Sequence, residues 1–138
     1  MIEFFIPCVP PKVTAQSATR ILKNKAGNMF IGKIEKGLAT RNELMWLLAP
    51  HRPDTPFKNA VKLTVEWVYP YLKTTRKRDI GKNIPCITRP DCDNLCKFLC
   101  DCLTRCRFWL DDSQVWSLNF SKYYSENCGI RIKIEEIF

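Results

Sequence analysis

Val61, Leu63, Val65, Trp67 and Tyr69 alternate with Lys62, Thr64, Glu66 and Val68, and this repeat of two predicts a strand with one buried face. Ile2, Phe4 and Ile6 alternate with Glu3 and Phe5 in the same way and predict an opening strand, ended by Pro7, Pro10 and Pro11. Residues 12–30 are polar and basic; they read as a loop with a turn at Gly27 and room for a short strand at Met29-Phe30-Ile31. From about Ile34 to Leu48, the positions of Leu38, Leu44, Met45 and Leu48 predict a helix that Pro50 stops. Residues 49–58 form a proline-containing connection. Residues 71–90 lose all periodicity, and Gly81, Pro85 and Pro90 predict a long mobile loop with no regular element. Pro90 holds Arg89 extended, and Asp91 is then a natural N-cap for a helix running to about Arg105. Trp116, Leu118 and Phe120 predict a strand ending near Lys122. After a turn at Ser125-Glu126-Asn127, Ile130, Ile132 and Ile134 predict a last strand, and these two strands are expected to form a hairpin. No repeat or second domain is visible.

Composition bounds the class. The 138 residues suit one domain with its own core, and 46% apolar with 26% charged residues is globular usage. The net charge of +8, from 22 Lys and Arg against 14 Asp and Glu, favours a polyanionic partner, most simply nucleic acid, although a basic soluble protein without one has the same balance. Residues 71–90 concentrate Lys73, Arg76, Lys77, Arg78, Lys82 and Arg89 against Asp79 alone. Met1-Ile2-Glu3-Phe4-Phe5-Ile6 lacks the basic start of a signal peptide, and no run approaches the roughly 18 apolar residues of a membrane span. A cytoplasmic protein is therefore expected. Eight cysteines are many for this length, and Cys92, Cys96, Cys100, Cys102 and Cys106 lie close together. Their spacing does not match Cys-x2-Cys zinc patterns, and the single histidine is the distant His51. On a helix they share a wide arc with Leu95, Leu99 and Leu103, so they are expected to be reduced and to pack as small hydrophobes.

The chemistry-bearing stretch is Arg89-Pro90-Asp91-Cys92-Asp93-Asn94-Leu95-Cys96-Lys97, followed by Asp111-Asp112. On a helical wheel measured from Cys92, Asp93 falls near roughly 100°, Lys97 near roughly 140°, Asp101 near roughly 180° and Asn94 near roughly 200°, opposite the apolar arc. A purely structural account exists: Asp91 caps the helix, Asp93 complements its positive end, Asp93 and Lys97 form an i,i+4 pair, and Asp111-Asp112 is a turn. Taken together, the segments suggest more. Carboxylates converging from a helix start and a strand entry repel one another unless a cation joins them, and Mg²⁺ suits oxygen donors. A lysine beside them can neutralise a phosphate oxygen. In a basic chain this combination points to phosphodiester cleavage. With no histidine nearby to act as a base, activation of water falls to the metal.

The run from Arg89 to Lys97, then Asp101, Phe108-Trp109-Leu110-Asp111-Asp112-Ser113-Gln114-Val115 and Lys122, resembles the RusA-like endodeoxyribonucleases, Holliday-junction resolvases often carried by phages and prophages. The resemblance implies a small single-domain α/β (α+β) fold, a mixed sheet of about four strands packed with two helices. It also implies a homodimer that cuts opposed strands of a four-way junction with Mg²⁺ or Mn²⁺ and no small-molecule cofactor. By that likeness Asp91, Asp93 and Asp112 bind metal, with Asp111 a candidate to share it, and Lys97 is the catalytic lysine. Asn94 and Asp101 support the site. Lys12, Arg20, Lys73, Arg76, Lys77, Arg78, Lys82, Arg89 and Lys122 would contact DNA, Lys122 alternatively shaping the site. Cys8 stands where the family often has Gly, and the basic cluster after the prolines is reduced to Lys12 and Arg20. Three other readings remain open from sequence: a branched-DNA-binding protein without catalysis, a zinc-binding interaction module using the cysteine cluster, which the spacing disfavours, and a nuclease for flaps or other branched DNA.

Overall fold

The computed structural model describes residues 1–12, 17–23, 29–35 and 38–138, the segments 17–23 and 29–35 by backbone alone. The chain order is β1 (Ile2–Pro7), β2 (Ser17–Lys23), β3 (Met29–Glu35), α1 (Leu38–Leu48), β4 (Ala60–Tyr69), β5 (Ile84–Pro85), α2 (Cys92–Arg105), β6 (Val115–Tyr124) and β7 (Gly129–Ile137), with short 3₁₀ turns at Ala49–His51, Lys77–Asp79 and Asp112–Gln114. Five strands form an open mixed sheet in the order β1-β7-β4-β6-β5, and β2 and β3 form a separate two-stranded sheet.

β4 sits centrally because its alternation is the strictest in the chain: Val61, Leu63, Val65, Trp67 and Tyr69 are buried. Ile130, Ile132 and Ile134 of β7 continue that face, since Leu63 pairs with Ile134, Val65 with Ile132 and Trp67 with Ile130. Against it pack Leu95, Phe98, Leu99, Cys102 and Leu103 of α2 and Leu44 and Leu48 of α1. β6 runs parallel to β4, placing Leu118, Phe120 and Lys122 on the same face as Leu63, Val65 and Trp67. The register slips between Val61 and Lys62, leaving Trp116 as the extra residue of a bulge beside the start of β6.

Four expectations are corrected. Residues 12–30 are not one loop, because β2 and β3 pair antiparallel from Ser17 with Glu35 to Lys23 with Met29. A ribbon standing outside the main sheet is not obliged to alternate, so its sequence carries little signal. The turn expected at Gly27 lies outside the described residues. The first helix begins at Leu38, not Ile34, since Ile34 pairs with Ala18 in β3. The last two strands are not a hairpin: β4 lies between β6 and β7, and the chain crosses its end with Ser125 N donating to Tyr69 O at 3.0 Å. Residues 71–90 are not wholly irregular, for they contain the 3₁₀ turn and β5, which pairs with β6 at Ile84–Tyr124 and Pro85–Tyr123.

Gly129 opens β7 where only glycine fits. A Cβ there would lie 2.4 Å from the Ile6 carbonyl oxygen and 2.4 Å from the Phe5 ring. The ring has some freedom to yield, whereas the carbonyl belongs to the paired strand β1.

Candidate active site

Polar groups at the start and along the side of helix α2 line two recesses. Asp91 occupies the N-cap position with extended backbone, and its carbonyl accepts from Leu95 N at 3.1 Å. Its carboxylate makes no capping bond, so the structural duty foreseen for it is not what that side chain does. It lines a recess of about 480 Å³ together with Lys12, Arg89, Pro90 and Asn94. Around the helix, Lys97 and Asp112 line a second recess of about 250 Å³ with Cys96, Cys100, Trp116 and Leu118. Asp93 is one turn before Lys97, on the same side of α2. Asp112 thus meets the second and third turns of the helix, while Asp91 opens on the other recess, at the helix start. Asp101 lies in neither: it accepts from Arg105 Nε at 3.0 Å and reaches Arg41 Nη1 of α1 at 4.0 Å.

A chain of hydrogen bonds fixes Asp112. Glu136 Oε2 near the end of β7 accepts from Lys58 N and Asn59 N at 2.9 and 3.2 Å, holding the strap before β4. Gln114 Nε2 donates to the Phe57 and Asn59 carbonyls of that strap, both at 2.9 Å. Its Oε1 accepts from Leu110 N at 2.8 Å and Asp111 N at 2.9 Å. Asp111 completes a reciprocal capping box by accepting from Ser113 N at 3.3 Å and from the Ser113 hydroxyl. These Ser113 bonds favour the charged carboxylate and hold Asp111 below the ordinary aspartate range. Asp111 is therefore engaged in building the 3₁₀ turn on which Asp112 stands. The sequence motif contained Gln114 but gave it no role; an Asp followed three residues later by Gln is the capping signature that could have done so.

Lys122 shapes the other wall. Its ammonium donates to the carbonyls of Thr88 and of Pro90, the latter at 2.7 Å, fastening the segment that delivers Arg89 and Asp91. Of the two roles foreseen for Lys122, these bonds support shaping. Arg89 and Pro90 are joined by a cis peptide. Cys86 N donates to Lys122 O at 3.1 Å, and the Cys86 thiol donates to Tyr124 Oη at 3.4 Å, adding further ties to β6. Lys12 stands 5.5 Å from the centre of the Tyr69 ring. Burial above all pushes the Tyr69 phenol up to about 12, so that ring is neutral.

The remaining cations rim the sheet end. Lys73, Arg76, Lys77, Arg78, Lys82 and Arg89 all lie at the surface. The segment carrying them is shaped by Tyr71, whose hydroxyl donates to Lys82 O at 2.6 Å and accepts from Gly81 N at 2.9 Å, and by a Lys82–Asp79 ion pair at 3.7 Å. Arg20 belongs to β2, whose side chains lie outside the described residues.

Among the described residues, no three His, Cys, Asp or Glu side chains are drawn together as a cage that could hold a metal ion. Mg²⁺ does not need one, because it keeps several waters and binds through one or two carboxylates plus the substrate's own phosphates. Asp91, Asp93 and Asp112 are exposed oxygen donors of the kind Mg²⁺ takes, Asp91 lining one recess and Asp112 the other. All eight cysteines are free, with Cys86, Cys96, Cys102 and Cys106 buried, as packing thiols should be. No helix among the described residues is long and apolar enough to cross a membrane.

A family model described as "Endodeoxyribonuclease RusA" matches residues 9–135. The uncharacterized protein YqaN of Bacillus subtilis (strain 168) is 34% identical over 94 residues, covering 63% of this chain and 65% of that protein. The crossover junction endodeoxyribonuclease rusA of Lactococcus phage r1t is 33% identical over 90 residues, covering 65% of this chain and 66% of the phage protein. The chain thus matches a little under two thirds of the length of these relatives.

Proposed function

Because this chain belongs to the RusA endodeoxyribonuclease family, we propose that it is a structure-selective DNA endonuclease that resolves four-way junctions as a homodimer, using Mg²⁺ or, in its place, Mn²⁺. The observation that supports this reading is the meeting of Lys97 and Asp112, from separate segments, in one recess on α2, while Asp91, Lys12 and Arg89 line another at the start of the same helix. Asp91, Asp93 and Asp112 would hold the metal, which when bound polarises the phosphoryl oxygen and lowers the pKa of water.

The chain's own groups do the rest. Lys97 places a cation on the same wall as Asp112 and neutralises charge gathering on the scissile phosphate. Lys12 and Arg89 hold a backbone phosphate in the recess that they line with Asp91. Arg89 is suited to bidentate contact, but Lys122 is not available for it because it already binds two carbonyls. Gln114 and Asp111 keep Asp112 in place, and Asp101 ties α2 to α1 through Arg41. The surface cations of 73–89 extend the contact along the DNA, making binding strongly salt-dependent. Junction shape and flexibility set selectivity. Two copies of the site in a dimer cut the two opposed strands, within a cytoplasm that holds the DNA.

Asp93→Asn and Lys97→Ala test the assignment. Both should abolish cleavage of a labelled four-way junction while junction binding in a gel-shift assay is kept. Loss of binding and cleavage together would make these residues structural. Tight junction binding by the wild type, with no cleavage in Mg²⁺ or Mn²⁺, would instead make the protein a binding module.

A further inference from the structure

We infer that Cys96 and Cys100 form a site for a thiophilic divalent cation of the zinc class, set into the wall of the recess that holds Lys97 and Asp112, and that its occupancy blocks that recess. The two sulfurs lie 3.9 Å apart. Two thiolates bound to a tetrahedral ion at about 2.3 Å are about 3.8 Å from each other, so the pair already has the required separation without movement of the helix. The cysteines are four apart on α2 and therefore stand one above the other, the spacing by which paired histidines on one helix face bind zinc. Cys-x2-Cys patterns do not detect this arrangement, which depends on the helix.

Access and a further donor come from the same recess. Cys96 is 8% exposed and Cys100 is half-buried, yet both line the cavity. Asp112 lines it too. The third ligand is not drawn in beforehand; on binding, the Asp112 carboxylate and water complete the tetrahedron. The two thiol protons pass to solvent as the cation replaces them, and no oxidation takes place. Cys102, fully buried in the core, cannot take part from its position. The consequence for activity rests on the proposed function: a cation that engages Asp112 withdraws a carboxylate from the Mg²⁺ set.

The test uses full-length, reduced protein titrated with Cd²⁺ as a spectroscopic substitute for Zn²⁺. The readout is thiolate-to-cadmium charge-transfer absorption, with Zn²⁺ then added in competition. A saturable stoichiometric phase should appear in the wild type and in Cys128→Ser, which changes a free cysteine just before β7 that does not line the recess, and disappear in Cys96→Ser and in Cys100→Ser. No saturable phase in the wild type, or an undiminished one in both cysteine-pair variants, would overturn the site. In a parallel cleavage assay at fixed Mg²⁺, stoichiometric Zn²⁺ should slow the wild type by at least about tenfold, the scale of losing support at a metal site. A chelator selective for Zn²⁺ should restore it. Cys100→Ser, compared with its own Mg²⁺-only rate, should resist; equal inhibition of both proteins would overturn the blocking effect. Cadmium binding through the pair in a protein that cuts no junction would uphold the cation site and refute the nuclease reading, so the two failures are distinguishable.

Discussion

Replacing Gln114 probes how Asp112 is held. The carboxamide makes four hydrogen bonds, one of them to Phe57 O in partly buried surroundings and the other three exposed. Taking about 0.5 kcal/mol for each exposed bond and about 1 kcal/mol for the partly buried one, Gln114→Ala should cost about 2.5 kcal/mol. For a domain of this size that lowers Tm by about 10 °C. The cut should reach function because the broken bonds tie the 3₁₀ turn under Asp112 to the strap at 57–59. Gln114→Glu separates the two halves of the carboxamide. One oxygen still accepts from Leu110 N and Asp111 N, while the other faces the carbonyls of Phe57 and Asn59 and can no longer donate. Urea unfolding with junction cleavage and junction binding, measured on the same preparations, provides the assay. The expected order of stability is wild type, then Gln114→Glu, then Gln114→Ala, or the two variants close together, with cleavage falling more than binding in both. Wild-type stability and wild-type cleavage in Gln114→Ala would refute the claim that this network positions Asp112.

Other consequences follow from single observations. Lys122→Met removes two charged donors from the Thr88 and Pro90 carbonyls, and should cost about 2 kcal/mol in urea unfolding while reducing cleavage more than junction affinity. Gly129→Ala puts a Cβ against the Ile6 carbonyl and the Phe5 ring; a drop of about 2 kcal/mol or more in chemical denaturation is expected from such overpacking. Replacing Arg76, Lys77 and Arg78 together by Ala should flatten the plot of log K against log salt by up to about 2.7, at about 0.9 for each phosphate no longer neutralised, with little change in Tm because all three lie at the surface. The Asp111 cap also has a pH signature. Its folded pKa is lowered by Ser113, so its contribution is present above the ordinary aspartate pKa of about 3.9 and is lost as pH falls through the lowered value. Asp111→Asn should weaken acid dependence in that window, read from Tm against pH.

The sequence revealed β4, β7 and α2 because burial on one face imposes a period that survives in the side chains. Val61 to Tyr69 and Ile130 to Ile134 alternate, and Leu95, Leu99 and Leu103 recur at helical spacing. The pairing of those strands was less legible. β6 and β7 are separated by residues 125–128 and invite a hairpin, whereas insertion of β4 between them is a long-range choice that leaves no local mark. β2 and β3 were hidden because a ribbon outside the main sheet need not alternate, and the brief β5 because two residues show no period. The acidic motif located α2 and the 3₁₀ turn correctly. What it did not distinguish was geometry: Asp91 opens on one recess and Lys97 with Asp112 on another, Asp101 faces Arg41, and Asp111 is a cap. Those distinctions depend on where the 57–59 strap and β6 pass the helix, which no spacing within the motif encodes.

The most direct test of the central claim is cleavage of a labelled four-way junction beside a linear duplex of matched sequence, with Mg²⁺ or EDTA. The account predicts paired nicks in opposed strands of the junction alone, abolished by EDTA. Equal cutting of both substrates would contradict junction selectivity, and cutting that persists in EDTA would contradict metal dependence.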